Sequence, residues 1–177
     1  GGFATPPDGF FGAMKKELDN RGVLFISDEV QTGWGRTGEN FWGYQAHGIV
    51  PDMMTFAKGV GNGLALGGVV GRAEVMEAMP ANSISTFGGN PIASAGALAT
   101  INYMLEHDTQ KNSKEMGERL SEGISKTVSD SPVIAEIRGR GLMLAIETVI
   151  PDSIEPNAPA AAQLMEATRA AGLLIGK

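Results

Sequence analysis

Apolar positions along this chain alternate between short runs of strand length and longer stretches with helical spacing. Phe10, Phe11, Met14 and Leu18 share one face of a helix predicted over Phe10 to Asn20, and Gly22 supplies its stop. Val23 to Ser27 is an apolar run of strand length, as in a strand buried on both faces of a parallel sheet. Phe41 to Ala46 predicts a short helical segment. Pro51-Asp52 introduces a second short strand, Met53 to Ala57. A third follows at Gly67 to Gly71, ahead of a short helix over Arg72 to Met79. Ile92 to Glu106 predicts a long helix whose small residues, among them Ala93, Gly96 and Ala97, call for close packing. Thr109 to Ser129 predicts another, with Met116, Leu120, Ile124 and Val128 on its apolar side.

The organisation changes near Asp130 to Val133. Residues 1–130 read as part of a large α/β domain, and residues 131–177 as the start of a smaller α+β one. In the second, Ile134 to Ile137 and Leu142 to Glu147 read as strands joined by Arg138-Gly-Arg-Gly141. Pro151 to Pro159 is a loop, Ala160 to Ala171 a helix, and the last residues a strand cut short at Lys177. With no initiator methionine at Gly1 either, the chain is expected to be an internal part of a longer protein.

Composition narrows the chemistry. Apolar residues make up 42% and charged ones 19%, which suits a packed core under a solvated surface. The net charge of −6 comes without a basic stripe, so nucleic acid is not an expected partner. The absence of cysteine rules out disulfides and thiolate catalysis, and the isolated His47 and His107 give no metal-ligand spacing. No apolar run reaches the length of a membrane-spanning helix.

Two residues stand out against this background. The run Phe25-Ile-Ser-Asp-Glu-Val-Gln-Thr-Gly-Trp-Gly-Arg-Thr-Gly38 carries an apolar strand straight into the carboxylate of Asp28. Further on, Thr55-Phe-Ala-Lys-Gly-Val-Gly-Asn-Gly63 delivers Lys58 into a glycine-rich turn. A carboxylate and an amine at the ends of neighbouring strands are what pyridoxal phosphate chemistry needs. The amine binds the aldehyde, and the carboxylate keeps the pyridine nitrogen protonated. Taken alone, the pair is more commonly a buried ion pair or two unrelated surface charges, and Asp28 reads also as a turn cap. The glycines form neither a P-loop, since no Gly-Lys-Ser/Thr closes them, nor a dinucleotide fingerprint.

The longer pattern, Asp28-Glu-Val-Gln-Thr-Gly-Trp-Gly-Arg-Thr-Gly38 and then Pro51-Asp-Met-Met-Thr-Phe-Ala-Lys-Gly59, closely resembles the signature of the class III aminotransferases. Within that class the chain is most similar to the branch containing alanine–glyoxylate aminotransferase 2 and related omega-amino-acid transaminases. The resemblance implies the aspartate-aminotransferase-like fold (fold type I), pyridoxal 5'-phosphate as cofactor, and a homodimer whose active sites are shared between subunits. It implies that Lys58 is the Schiff-base lysine, which needs a free amine favoured by burial or by a neighbouring cation. Asp28 is the implied partner of the pyridine nitrogen, with Glu29 facing away from the ring in a structural role. Gln31 corresponds to a glutamine near the cofactor's phenolic oxygen, and Thr86 to a hydroxyl offered to the phosphate in the partner subunit. Arg138 corresponds to an arginine that grips the substrate carboxylate, and Trp34 stands where many relatives carry phenylalanine.

The implied reaction is transamination between alanine or an omega-amino acid and a keto acid such as glyoxylate or pyruvate. Decarboxylation, racemisation or amino-group migration on the same fold is the alternative chemistry, and a fragment without activity of its own is the alternative outside catalysis. Compartment stays open: a bacterial source implies the cytoplasm, and a eukaryotic one allows the mitochondrion.

Overall fold

One carboxylate explains why the three short strands meet. Asp52, 3% exposed, precedes the second strand and accepts a hydrogen bond from the Phe25 amide (2.8 Å) just ahead of the first. Its other oxygen takes the Arg72 guanidinium (2.8 Å) just after the third, and Lys15 of the first helix lies 3.5 Å away. The Phe25 amide first, then Arg72, hold the Asp52 carboxyl below the ordinary carboxylate range, so it stays ionised at neutral pH.

The computed structural model describes residues 2–176. Helix α1 (Phe10–Asn20) leads into β1 (Ile26–Asp28), and β2 (Met53–Phe56) and β3 (Gly68–Gly71) complete a sheet of order β1-β2-β3. β1 lies parallel to β2, with Asp28 beside Thr55, and β3 lies antiparallel to β2. The first strand differs from expectation. It begins at Ile26, where its ladder begins, and Val23, Leu24 and Ile26 are 48%, 48% and 52% exposed. Among the described residues β1 has a ladder on one side only, and the exposure of these three side chains shows that the run is not buried on both faces in this chain.

A single helical turn, α2 (Ala73–Met76), replaces the longer helix expected up to Met79. Asn90 then caps α3 (Pro91–Glu106). Its side chain accepts from the Ala93 amide (2.9 Å), and Pro91 occupies the first turn, where no amide partner is needed. The small residues do pack closely. Ala93 and Ala97 are buried, and a Cβ on Gly96 would fall 2.4 Å from the Leu64 side chain.

Helix α4 (Thr109–Thr127) runs against an antiparallel hairpin of β4 (Ile134–Arg140) and β5 (Met143–Thr148). The segment Arg138 to Arg140 is therefore strand rather than connector, and Gly141-Leu142 makes the turn. Helix α5 (Ala158–Ala170) follows, capped by Asn157, which accepts from the Ala160 amide (3.0 Å). Leu173 to Gly176 form no strand, because no ladder partner for them lies among the described residues.

Backbone meets backbone where α4 crosses the hairpin tip. A Cβ on Gly117 would sit 2.1 Å from the Gly141 carbonyl oxygen, and one on Gly141 (φ +54°) would sit 2.5 Å from the Thr37 backbone. Ser113, also buried, donates to the Arg36 carbonyl (2.6 Å), and the Leu142 amide approaches the same carbonyl at 3.2 Å. Gly117→Ala should therefore lower stability by about 2 kcal/mol, because the overpacking cost exceeds the gain in helix propensity. Gly123→Ala on the same helix meets nothing within 4 Å and should be neutral or stabilising by up to about 1 kcal/mol. Urea midpoints of the two variants check the contrast.

Candidate active site

β1 ends on Asp28, and the chain turns at once. The Val30 amide donates to Asp28 Oδ1 (3.1 Å), as does the Thr55 hydroxyl (3.3 Å), so the carboxylate caps its turn and is tied to β2. Among the described residues nothing donates to Oδ2. The residue is exposed, so that oxygen is open to solvent or to a ligand.

Glu29 makes the opposite use of its charge. It is 1% exposed, and Oε1 accepts from the Ser27 hydroxyl (2.9 Å) and the Tyr44 amide (2.8 Å). Oε2 accepts from the Thr32 hydroxyl (2.6 Å) and the Gly43 amide (2.7 Å). Four donors on one buried carboxylate fasten the far end of the glycine-rich loop to the end of β1. The Gly33 amide adds a 3.0 Å bond to the Glu29 carbonyl.

Lys58 opens a 3-10 turn, Lys58–Gly61, two residues past the end of β2. Its φ is +46°, in the left-handed region where a residue with a Cβ loses about 1–2 kcal/mol. Such strain persists where the surroundings impose it, and it concentrates at functional sites. The side chain is exposed in this chain, so the expected burial is not found here. Asp28 pairs with Thr55, and Lys58 lies three residues beyond Thr55, so the two stand at the same end of neighbouring strands.

Two adjoining cavities share the Phe3 and Met143 side chains. The larger, ≈ 950 Å³, is lined by Val30, Gln31, Trp34, Lys58, Gly59 and Leu142 among others. The smaller, ≈ 340 Å³, is lined by Asp28, Thr37, His47 and Arg140 with apolar neighbours. Gln31 and Lys58 thus come together, and Asp28 opens onto the adjoining space. Thr86 lines neither. It lies on the exposed 83–89 loop, and its hydroxyl makes no hydrogen bond among the described residues.

Arg138 is already engaged. Its guanidinium bridges Glu136 (3.0 Å) and Glu147 and donates to the Gly2 carbonyl (2.9 and 3.0 Å). Glu136 and Glu147 face each other across the β4–β5 ladder, so the arginine offsets a repulsion between like charges. Arg140, two residues on, lines the same cavity as Asp28. Its guanidinium pairs with Glu39 (2.9 Å) and Asp8 (3.7 Å). Burial, then the Arg140 cation, push His47 below its ordinary range, so the imidazole facing this cavity is neutral at pH 7. Local spacing shows neither residue's place, because a hairpin distant in sequence brings Arg140 in.

The donor set suits pyridoxal phosphate: a carboxylate with a free oxygen, an amine in a constrained turn and an amide in the same cavity. Comparison with known proteins agrees. The family model for class-III aminotransferases matches residues 1–177. The mitochondrial alanine–glyoxylate aminotransferase 2 homolog 2 of Arabidopsis thaliana is 38% identical over 179 aligned residues, covering 100% of this chain and 37% of that protein. The 5-aminovalerate aminotransferase of Pseudomonas putida is 40% identical over 176 residues, covering 99% and 41%. A taurine:2-oxoglutarate aminotransferase from Bifidobacterium kashiwanohense, solved in complex with PLP and glutamate, superposes with a TM-score of 0.87. It is 31% identical, and the match covers 97% of this chain and 41% of that one. The chain spans about two fifths of the length of the curated relatives it matches.

Proposed function

Since this chain belongs to the class-III aminotransferases, which use pyridoxal phosphate, we propose that the protein transfers an amino group from alanine or an omega-amino acid to a keto acid such as glyoxylate or pyruvate. The observation that carries this reading is Lys58, held in a left-handed turn past β2 and beside the strand that ends on Asp28. The bound cofactor supplies an aldehyde that takes up the amino group and a ring that accepts electrons when the substrate's Cα proton leaves.

The chain's own residues divide the remaining work. Lys58 would hold the cofactor's aldehyde, and its amine, when free, would move the proton from the substrate's Cα. Asp28 would keep the pyridine nitrogen protonated. Gln31 would help orient the ring, and Thr86 would offer its hydroxyl to the phosphate in a partner subunit of a homodimer. Arg138 grips the substrate carboxylate, which requires that carboxylate to compete with Glu136 and Glu147 for the guanidinium.

Half-reactions test the proposal. In the intact protein with pyridoxal phosphate, an amino donor alone should shift the visible band, and a keto acid alone should restore it. A substrate turned over with no keto acid required would overturn transamination in favour of racemisation or decarboxylation.

A further inference from the structure

We propose that Trp34 is a positioning residue whose indole sets the place of Lys58 relative to Asp28. The proposal rests on the reading of Lys58 and Asp28 given above. Trp34 follows the Asp28 turn, and Gly59 follows Lys58, and the indole lies between these segments. A Cβ on Gly59 would touch Trp34 Cδ1 at 3.4 Å, with the indole Cβ and Cγ at 3.8 Å, so the ring covers the open face of the residue after the lysine.

On the other side of the turn the indole meets Phe56, the last residue of β2, edge to face at 5.4 Å. It is thus in contact on both sides of Ala57-Lys58. The wedge is itself fixed from behind. Trp42 and Phe41 lie 4.7 and 5.5 Å from its ring, and Phe41 and Trp42 contact each other at 5.3 Å. Aromatic pairs at these distances and angles have a preferred edge-to-face geometry, so the cluster is directional as well as apolar.

Backbone geometry completes the link to the carboxylate. Trp34 itself has φ +61°, and like Phe3, Lys58 and Asn62 it is a non-glycine residue of positive φ lining this cavity. Its neighbours are tied down, Gly33 N to Glu29 O at 3.0 Å and Gly35 N to Phe41 O at 3.0 Å. A continuous chain of contacts therefore runs from Asp28-Glu29 through Gly33 and the indole to Gly59. The indole Nε1–H is buried and has no partner among the described residues, so the ring's bulk rather than its donor accounts for the contacts made. Phenylalanine should then serve in its place and alanine should not.

The test compares wild type, Trp34→Phe and Trp34→Ala in the intact protein, at a temperature where all three are folded. Without cofactor, the Val60 and Asn62 amides, which bond the Ala57 and Gly59 carbonyls (3.4 and 3.2 Å), report on the lysine turn. Their hydrogen exchange should quicken about tenfold or more in Trp34→Ala, with the β4–β5 ladder unchanged, and Trp34→Phe should restore wild-type exchange. With pyridoxal phosphate, the Lys58-dependent visible band should form about tenfold more slowly in Trp34→Ala and near the wild-type rate in Trp34→Phe. Exchange that quickens everywhere alike, or not at all, would overturn the proposal, and so would a Trp34→Phe variant as impaired as Trp34→Ala. A wild type that forms no band would instead sink the reading of the site, while exchange at Val60 and Asn62 would still decide whether the indole holds the turn.

Discussion

Lys58→Ala should lower amino transfer by about 10⁴-fold or more and abolish the visible band formed with pyridoxal phosphate. The size follows from the two tasks assigned to one amine, holding the aldehyde and moving the Cα proton. Lys58→Arg should fail nearly as badly, because a guanidinium stays charged and cannot serve as a free amine. Folding should be almost untouched by either change, since the side chain is exposed. Alanine keeps the strain at φ +46°, whereas Lys58→Gly should relieve it and raise stability by about 1 kcal/mol. Initial rates, absorbance and urea midpoints on the same preparations separate these effects. Transfer by Lys58→Ala within tenfold of wild type would remove Lys58 from the chemistry.

Glu29→Ala should cost about 3–5 kcal/mol, the largest loss of stability expected from a single substitution in this site. The change strips acceptors from two hydroxyls and from the Gly43 and Tyr44 amides, in a place where the carboxylate is 1% exposed. Hydroxyls can turn to other partners, but the backbone amides cannot. Glu29→Gln is the more instructive variant. One carboxamide oxygen can replace one carboxylate oxygen, but the NH₂ then faces a hydroxyl and an amide that both donate. A loss of about 2–3 kcal/mol is expected. Chemical denaturation measures both, and a loss below about 1 kcal/mol in each would show that the four bonds are not what holds the loop.

Elements with a strong period were the most legible. The helices at Phe10, Ile92 and Thr109 and the strands at Met53 and Leu142 all appear close to where their apolar spacing puts them. The motif at Asp28 and Lys58 was legible as chemistry because it brings a carboxylate and an amine to strand ends. What escaped depends on contacts distant in the chain. Glu29 in an Asp-Glu pair reads as an ordinary charge until Gly43 and Tyr44 return to it. Arg138 reads as a grip for a substrate carboxylate, and its ion pair with Glu147 shows only once the hairpin brings the two together. Val23 and Leu24 carry a strand's composition but gain no ladder, because the pairing with β2 starts only at Ile26. Gly35 and Gly38 likewise show their role only in the fold, where α4 crosses them: a Cβ would fall 3.0 Å from the Gln110 side chain and 2.6 Å from the Lys114 backbone.

The junction at Arg36 also bears on the order in which the molecule assembles. Ser113 reaches the Arg36 carbonyl across 77 residues, and Arg140 reaches Glu39 across 101. Closing loops of that length costs entropy before any contact repays it, so these bonds form after the local helices and hairpins. On a ribosome the Asp28 turn emerges before α4 and the Gly141 tip, so its loop lacks the surface it rests on until they have been synthesised. Until then the junction at Arg36 stays open, and the aromatic and glycine-rich segment is unsupported on that side.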